Sequence, residues 1–182
     1  MFDDDVWRYL PLGPVPSLVL GSVWTGAAIY VAVVRSRTAR VLAATMLIAS
    51  VAIVLAYTAR GALSNDNGGF SWRLGTSIRA EMHSVNRPLG LVNIVGNVAL
   101  FVPIGWLVAV LSPRHQLVMG TFCALLLSTS VECWQQASGS FGDVDDIVLN
   151  GVGGFLGACA AGCLRSVGGR FVARGGLAAR PR

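Results

Sequence analysis

The chain has 182 residues, of which 54% are hydrophobic and only 13% charged, and its mean hydropathy is +0.64. Soluble domains carry about 25% charged residues, so a water-soluble globule is excluded: there is too little polar surface to cover it. The net charge of +5 comes from 14 Arg residues and no Lys. These lie between and after apolar runs, which suits membrane topology and argues against nucleic acid as a partner.

The N-terminus begins Met1-Phe2-Asp3-Asp4-Asp5, the opposite of a positively charged signal-peptide start. The first apolar run, 15–34, is therefore expected to be retained as a span. It is closed by Arg35, Arg37 and Arg40, and a second run, 41–59, is closed by Arg60. A membrane helix needs about 20 apolar residues, so both runs qualify by length. A third run, 91–111, is interrupted by Asn93, Asn97 and Pro103. A fourth, 116–134, holds Glu132 near its end, and a fifth, 147–164, holds Asn150 and several Gly residues. The expected fold is all-α: a polytopic membrane helical bundle of about five transmembrane helices. It forms a single membrane domain over 1–167, followed by a flexible basic tail over 168–182 that can touch anionic lipid.

The segment between the second and third runs is more than a linker. Asn65-Asp66-Asn67-Gly68-Gly69 reads as a turn. From Thr76 to Asn86, Ile78, Met82 and Val85 recur at helical spacing, with Arg79 and His83 beside them. Phe70 and Trp72 precede this stretch and Pro88 stops it. A short external amphipathic helix lying on the membrane surface is expected. In the fifth run, Gly153, Gly157 and Ala161 share one helix face, a close-packing pattern; a homo-oligomer remains open. Cys123, Cys133, Cys159 and Cys163 lack CxxC spacing and read as small buried side chains.

An external N-terminus puts Arg35, Arg37, Arg40, Arg114, Arg165, Arg170, Arg174, Arg180 and Arg182 in the cytoplasm. Arg8, Arg60, Arg73, Arg79 and Arg87 then lie outside. Nine against five sets the orientation, with the C-terminus cytoplasmic.

The informative residues are the polar ones inside apolar runs. Asn93, Asn97, Phe101 and Gly105 recur every four positions and share a face. Glu132 is followed by Gln135 and Gln136 one turn on. Asp143, Asp145 and Asp146 precede Asn150 and Gly154 at the same spacing. On this topology all three sets fall at one level, in the outer half of the membrane. A charge within a span costs at least about 2–3 kcal/mol. Glu132 stands near a helix C-terminus, where the helix dipole opposes it, so a proton, a cation, or one of Arg79, Arg87 and His83 is expected to accompany it. Asp145 or Asp146 could instead cap the fifth helix.

The run Asn93-x-x-x-Asn97-x-x-x-Phe101-x-Pro103-x-Gly105, then Glu132-x-x-Gln135, Asp143-Val144-Asp145-Asp146 and Asn150-x-x-Gly153 resembles the VanZ-like family of small bacterial membrane proteins. The likeness covers roughly residues 91–157. Members usually carry an Arg shortly before the Asp run, where this chain reads Ser138-Gly139-Ser140-Phe141-Gly142; Arg87 or Arg79 is the candidate replacement. The resemblance implies a bacterial plasma-membrane protein of the cell envelope and a link to low-level resistance to the glycopeptide teicoplanin. It supplies no reaction.

The first functional reading is a non-enzymatic accessory or binding protein. Asn93, Asn97, Glu132, Gln135, Asp145, Asp146, Asn150 and Arg87 would form an outward-facing pocket for a lipid-linked cell-wall precursor or a glycopeptide headgroup. Membrane lipids are the other partner, and no cofactor is expected. The alternative is a metal-assisted hydrolase or transferase acting on a lipid-linked substrate. Glu132 would then be its base, His83 its acid, and Asp145 with Asp146 its metal ligands, oxygen donors suited to Mg²⁺ or Ca²⁺. An ion pathway ranks last, because the polar groups gather at one level instead of crossing the bundle.

Overall fold

A computed structural model of the chain describes residues 14–62, 69–85, 87–112 and 114–178. Asn65 to Gly68 of the expected turn, Asn86 at the end of the amphipathic stretch, Met1 to Asp5, Arg8, Arg180 and Arg182 lie outside the described residues.

Hydrocarbon offers backbone amides no water, so each apolar run satisfies its own hydrogen bonds as a helix. In chain order the helices are α1 (Pro14–Val33), α2 (Arg37–Ala62), α3 (Thr76–His83), α4 (Arg87–Leu111), α5 (Gln116–Ala137) and α6 (Val144–Ala178). All but α3, five helices among the described residues, are long and apolar enough to cross a membrane. α3 is the short amphipathic helix. α2 and α4 begin at Arg37 and Arg87, before the uncharged runs, because a long Arg stem can lie along apolar surface while its head stays wet. α6 extends past Leu164 to Ala178, so residues 168–178, expected as flexible tail, continue the helix.

α4, α5 and α6 form the centre, and small residues decide how closely they pack. A Cβ on Gly153 would strike the Val98 carbonyl, one on Gly157 the Val102 carbonyl, and one on Gly105 the carbonyl of Gly154. The Gly153–Gly157 face is thus used within the chain, against α4. Below and above this contact the core divides into two clusters. Val54, Phe101, Ile104, Ala124 and Val131 form one; Val31, Ala43, Leu107, Val110, Ala158 and Ala161 form part of the other. The Trp106 indole N–H donates to the Ala28 carbonyl at 3.2 Å and fastens α1 to α4. Outward-facing residues such as Val23, Ile48 and Ile53 are exposed by 60–71%. Such a surface is costly in water and natural against lipid.

Two strands were not anticipated. β1 (Gly69–Ser71) and β2 (Phe141–Asp143) pair in parallel, with Phe70 opposite Gly142. Three residues are too few to show the alternation by which a strand is recognised. A Cβ on Gly142 would approach the Phe70 ring to 2.6 Å, so glycine there admits the aromatic side chain. Phe70 also packs on Trp72, ring centroids 4.1 Å apart. The pair ties the segment before α3 to the entrance of α6.

Candidate functional site

At the β1–β2 end of the bundle a cavity of about 410 Å³ lies among α2, α3, α4, α5 and α6. That is ample for a small polar group. Its polar lining includes Asn93, Asn97, Glu132, Gln135, Asp146 and Asn150. Six of the eight binding candidates therefore meet in one space. They do so because each pair is one turn apart on its helix, and the three helix ends lie at the same level.

The other two stand elsewhere. Asp145 is 1% exposed, and both its oxygens are occupied by α3. Oδ1 accepts from the Gly75 N–H at 2.6 Å; Oδ2 accepts from Ser77 at 3.0 Å and Ile78 at 3.2 Å. Asp145 caps a helix, as one expectation had it, but a different helix from its own. Its negative charge on those orphan amides uses the α3 dipole favourably. The cap of α6 is Asp143, whose Oδ1 accepts from the Asp145 N–H at 2.9 Å. Arg87 is exposed at the start of α4, where its Nε donates to the Met82 carbonyl at 3.0 Å, and it does not line the cavity.

Of the companions expected for Glu132, a proton, a cation or a basic side chain, no basic side chain among the described residues meets it in the cavity. Glu132 is 3% exposed, and its Oε2 accepts from the Asp143 backbone N–H at 2.8 Å. A backbone amide is there in place of Arg79, Arg87 or His83, because the turn after α5 folds β2 back over the helix end. His83 is exposed, with Nδ1 at 2.8 Å from the Arg79 carbonyl, and Arg79 is exposed beside it. Neither lines the cavity. The acid–base pair of Glu132 and His83 and the metal pair of Asp145 and Asp146 are therefore not assembled. Among the described residues no group of three His, Cys, Asp or Glu side chains is placed to hold a metal ion.

Three polar lining residues were missed. Tyr57 and Thr58 come from the last turns of α2, and Glu81 from α3. Tyr57 and Thr58 sit in a run that reads as uniformly apolar. Glu81 falls one helical turn before Val85, and no local spacing shows that α3 folds inward. α3 lies so close to α4 that a Cβ on Gly90 would come within 2.6 Å of the Glu81 carbonyl. Ser128 is a further omission with a legible signal, being one turn before Glu132; its Oγ accepts from Asn150 Nδ2 at 2.9 Å.

The amides are used in a consistent way. Asn93 Nδ2 donates to Glu81 Oε1 at 3.2 Å, and Asn97 Nδ2 donates to Asp146 Oδ1 at 2.5 Å. Asn150 Oδ1, by contrast, is buried without a donor. Glu81, Glu132 and Asp146 bring three carboxyl groups to the cavity, and among the described residues no Arg or His lines it. Asp146 repels both Glu132 and Glu81. The space is acidic and rich in acceptors.

Fold and site together define a small polytopic helical membrane protein with an acidic, amide-lined cavity at one end of its bundle. The VanZ/LLP1 family model matches residues 26–165, which takes in every lining residue of that cavity. The chain belongs to the VanZ/LLP1 family. No curated protein and no solved structure matches it.

Proposed function

We propose that this is a non-enzymatic binding protein of the cell envelope. Its cavity takes a polar headgroup that donates hydrogen bonds or carries positive charge. The observation that carries this reading is the lining itself: three carboxyl groups and amide oxygens, with no cation among the described residues. Such a surface suits an amine, a sugar hydroxyl or a peptide N–H, and repels a bare phosphate. The ligand class is the glycopeptide, or the sugar–peptide part of a lipid-linked cell-wall precursor. A precursor's phosphates would stay outside the cavity, near exposed Arg79 and Arg87. The Arg count favours the cavity end facing outward, where such ligands reside, and family membership favours a part in glycopeptide resistance. The alternative of a metal-assisted hydrolase draws no support from this geometry, since Asp145 is engaged by α3 and His83 stands outside the cavity.

The test is a titration of purified protein in nanodiscs with fluorescent teicoplanin and with labelled lipid-linked precursor. Asn97→Ala and Asp146→Asn should each weaken binding about ten-fold or more, the scale of a lost hydrogen bond to a charged group. Wild-type affinity in both folded variants would refute the site.

A further inference from the structure

A second cavity, of about 290 Å³, opens at the opposite end of the bundle, where α1, α2, α4, α5 and α6 converge. Arg35, Arg40, Arg165 and Gln116 line it above Val110 and Leu111. Its chemistry is the reverse of the first. Every described acid (Glu81, Glu132, Asp143, Asp145 and Asp146) belongs to the β1–β2 end, so no carboxylate among the described residues balances these guanidinium groups. Arg35 and Arg165 repel one another. Arg165 Nη1 donates to the Ala109 carbonyl at 3.2 Å, but its Nε is buried with no acceptor. A buried donor left unsatisfied is costly, more so on a charged group. Three converging cations with an orphan donor offer chemistry that suits an anion.

We propose that this cavity binds the phosphate of an anionic phospholipid headgroup. Guanidinium forks match phosphate oxygens in pairs, and the Gln116 amide adds a neutral donor. Lipid is favoured over free phosphate as the source because the rim continues into exposed apolar helix surface. Val41, next to Arg40, is 60% exposed, and Val118, two positions after Gln116, is 63% exposed. Acyl chains can lie there while the phosphate enters between the helices. Basic pockets between membrane helices recognise lipid headgroups in this way. The bound lipid would neutralise the repulsion and join α1 and α2 to the α4–α6 centre.

The experiment uses purified full-length protein in neutral detergent. Phosphatidylglycerol, phosphatidylcholine and inorganic phosphate are added separately, and thermal unfolding and lipid retention by native mass spectrometry are followed. Phosphatidylglycerol should raise the unfolding temperature and remain bound, and phosphatidylcholine should do neither. Arg35→Gln and Arg40→Gln, whose side chains are exposed, should each weaken that effect about five-fold, the worth of one Arg near an anionic surface. Arg114→Gln, also exposed but outside the cavity, should leave it unchanged. Equal stabilisation by inorganic phosphate would overturn the lipid as source. A response that is the same in all three variants and wild type, or the same for both lipids, would overturn the site.

Discussion

Replacing Asp145 by Ala removes the carboxylate that holds α3 in place. Three backbone N–H groups, at 2.6, 3.0 and 3.2 Å, lose their acceptor, in a position only 1% exposed. Hydrogen bonds to a charged group contribute about 1.5–3 kcal/mol each. Three made by one carboxylate share a single desolvation cost, so the joint loss is about 3–5 kcal/mol, the scale found when one partner of a buried charged interaction is removed. The loss falls on α3 alone, because the five membrane helices keep their contacts. Undocking should therefore become at least ~100-fold more populated. Trypsin cleavage after Arg79, inside α3, reads that population directly when opening is fast. Cleavage at Arg79 should accelerate by that factor in Asp145→Ala. It should accelerate less in Asp145→Asn, which keeps one acceptor oxygen. An unchanged rate at Arg79 in folded Asp145→Ala protein would show that the carboxylate does not anchor α3.

Other outcomes follow from the packing. Gly105→Ala drives a methyl group into the Gly154 carbonyl and should destabilise by about 1–3 kcal/mol or more. Gly26→Ala meets nothing within 4 Å and should be neutral or stabilising by up to ~1 kcal/mol; thermal unfolding in detergent separates the two signs. Trp106→Phe loses the bond to Ala28 and should lower stability by about 1 kcal/mol, read in the same assay. Ser128→Ala strips Asn150 Nδ2 of its acceptor in a buried setting, at a cost of about 1–3 kcal/mol.

The spans were legible in the sequence from the length of their apolar runs, and most of the cavity from helical spacing. Asn93 with Asn97, Glu132 with Gln135, and Asp146 with Asn150 share faces by spacing alone, and span boundaries place them at one level. What could not be read depends on contacts between distant segments. Asp145 meets Gly75 across 70 positions, and nothing local distinguishes it from Asp146, which faces the cavity. Glu81 enters the lining only because that contact folds α3 inward. Glu132 finds its partner in a backbone N–H, a donor present at every non-proline position and so without a sequence signature. The apolar period also hid Tyr57 and Thr58, whose inward position is set by how α2 rotates against α4.

Labelling of a single cysteine at position 93, on the rim of the acidic cavity, tests the proposed binding role most directly. In a background with Cys123, Cys133, Cys159 and Cys163 replaced, Asn93→Cys should react with a membrane-impermeant maleimide in intact cells. Added teicoplanin or lipid-linked precursor should slow that reaction, while a cysteine at 114 should react only after permeabilisation. Reaction at 93 only in permeabilised cells would place the cavity on the other side of the membrane. A rate unaffected by either ligand would mean that neither occupies it.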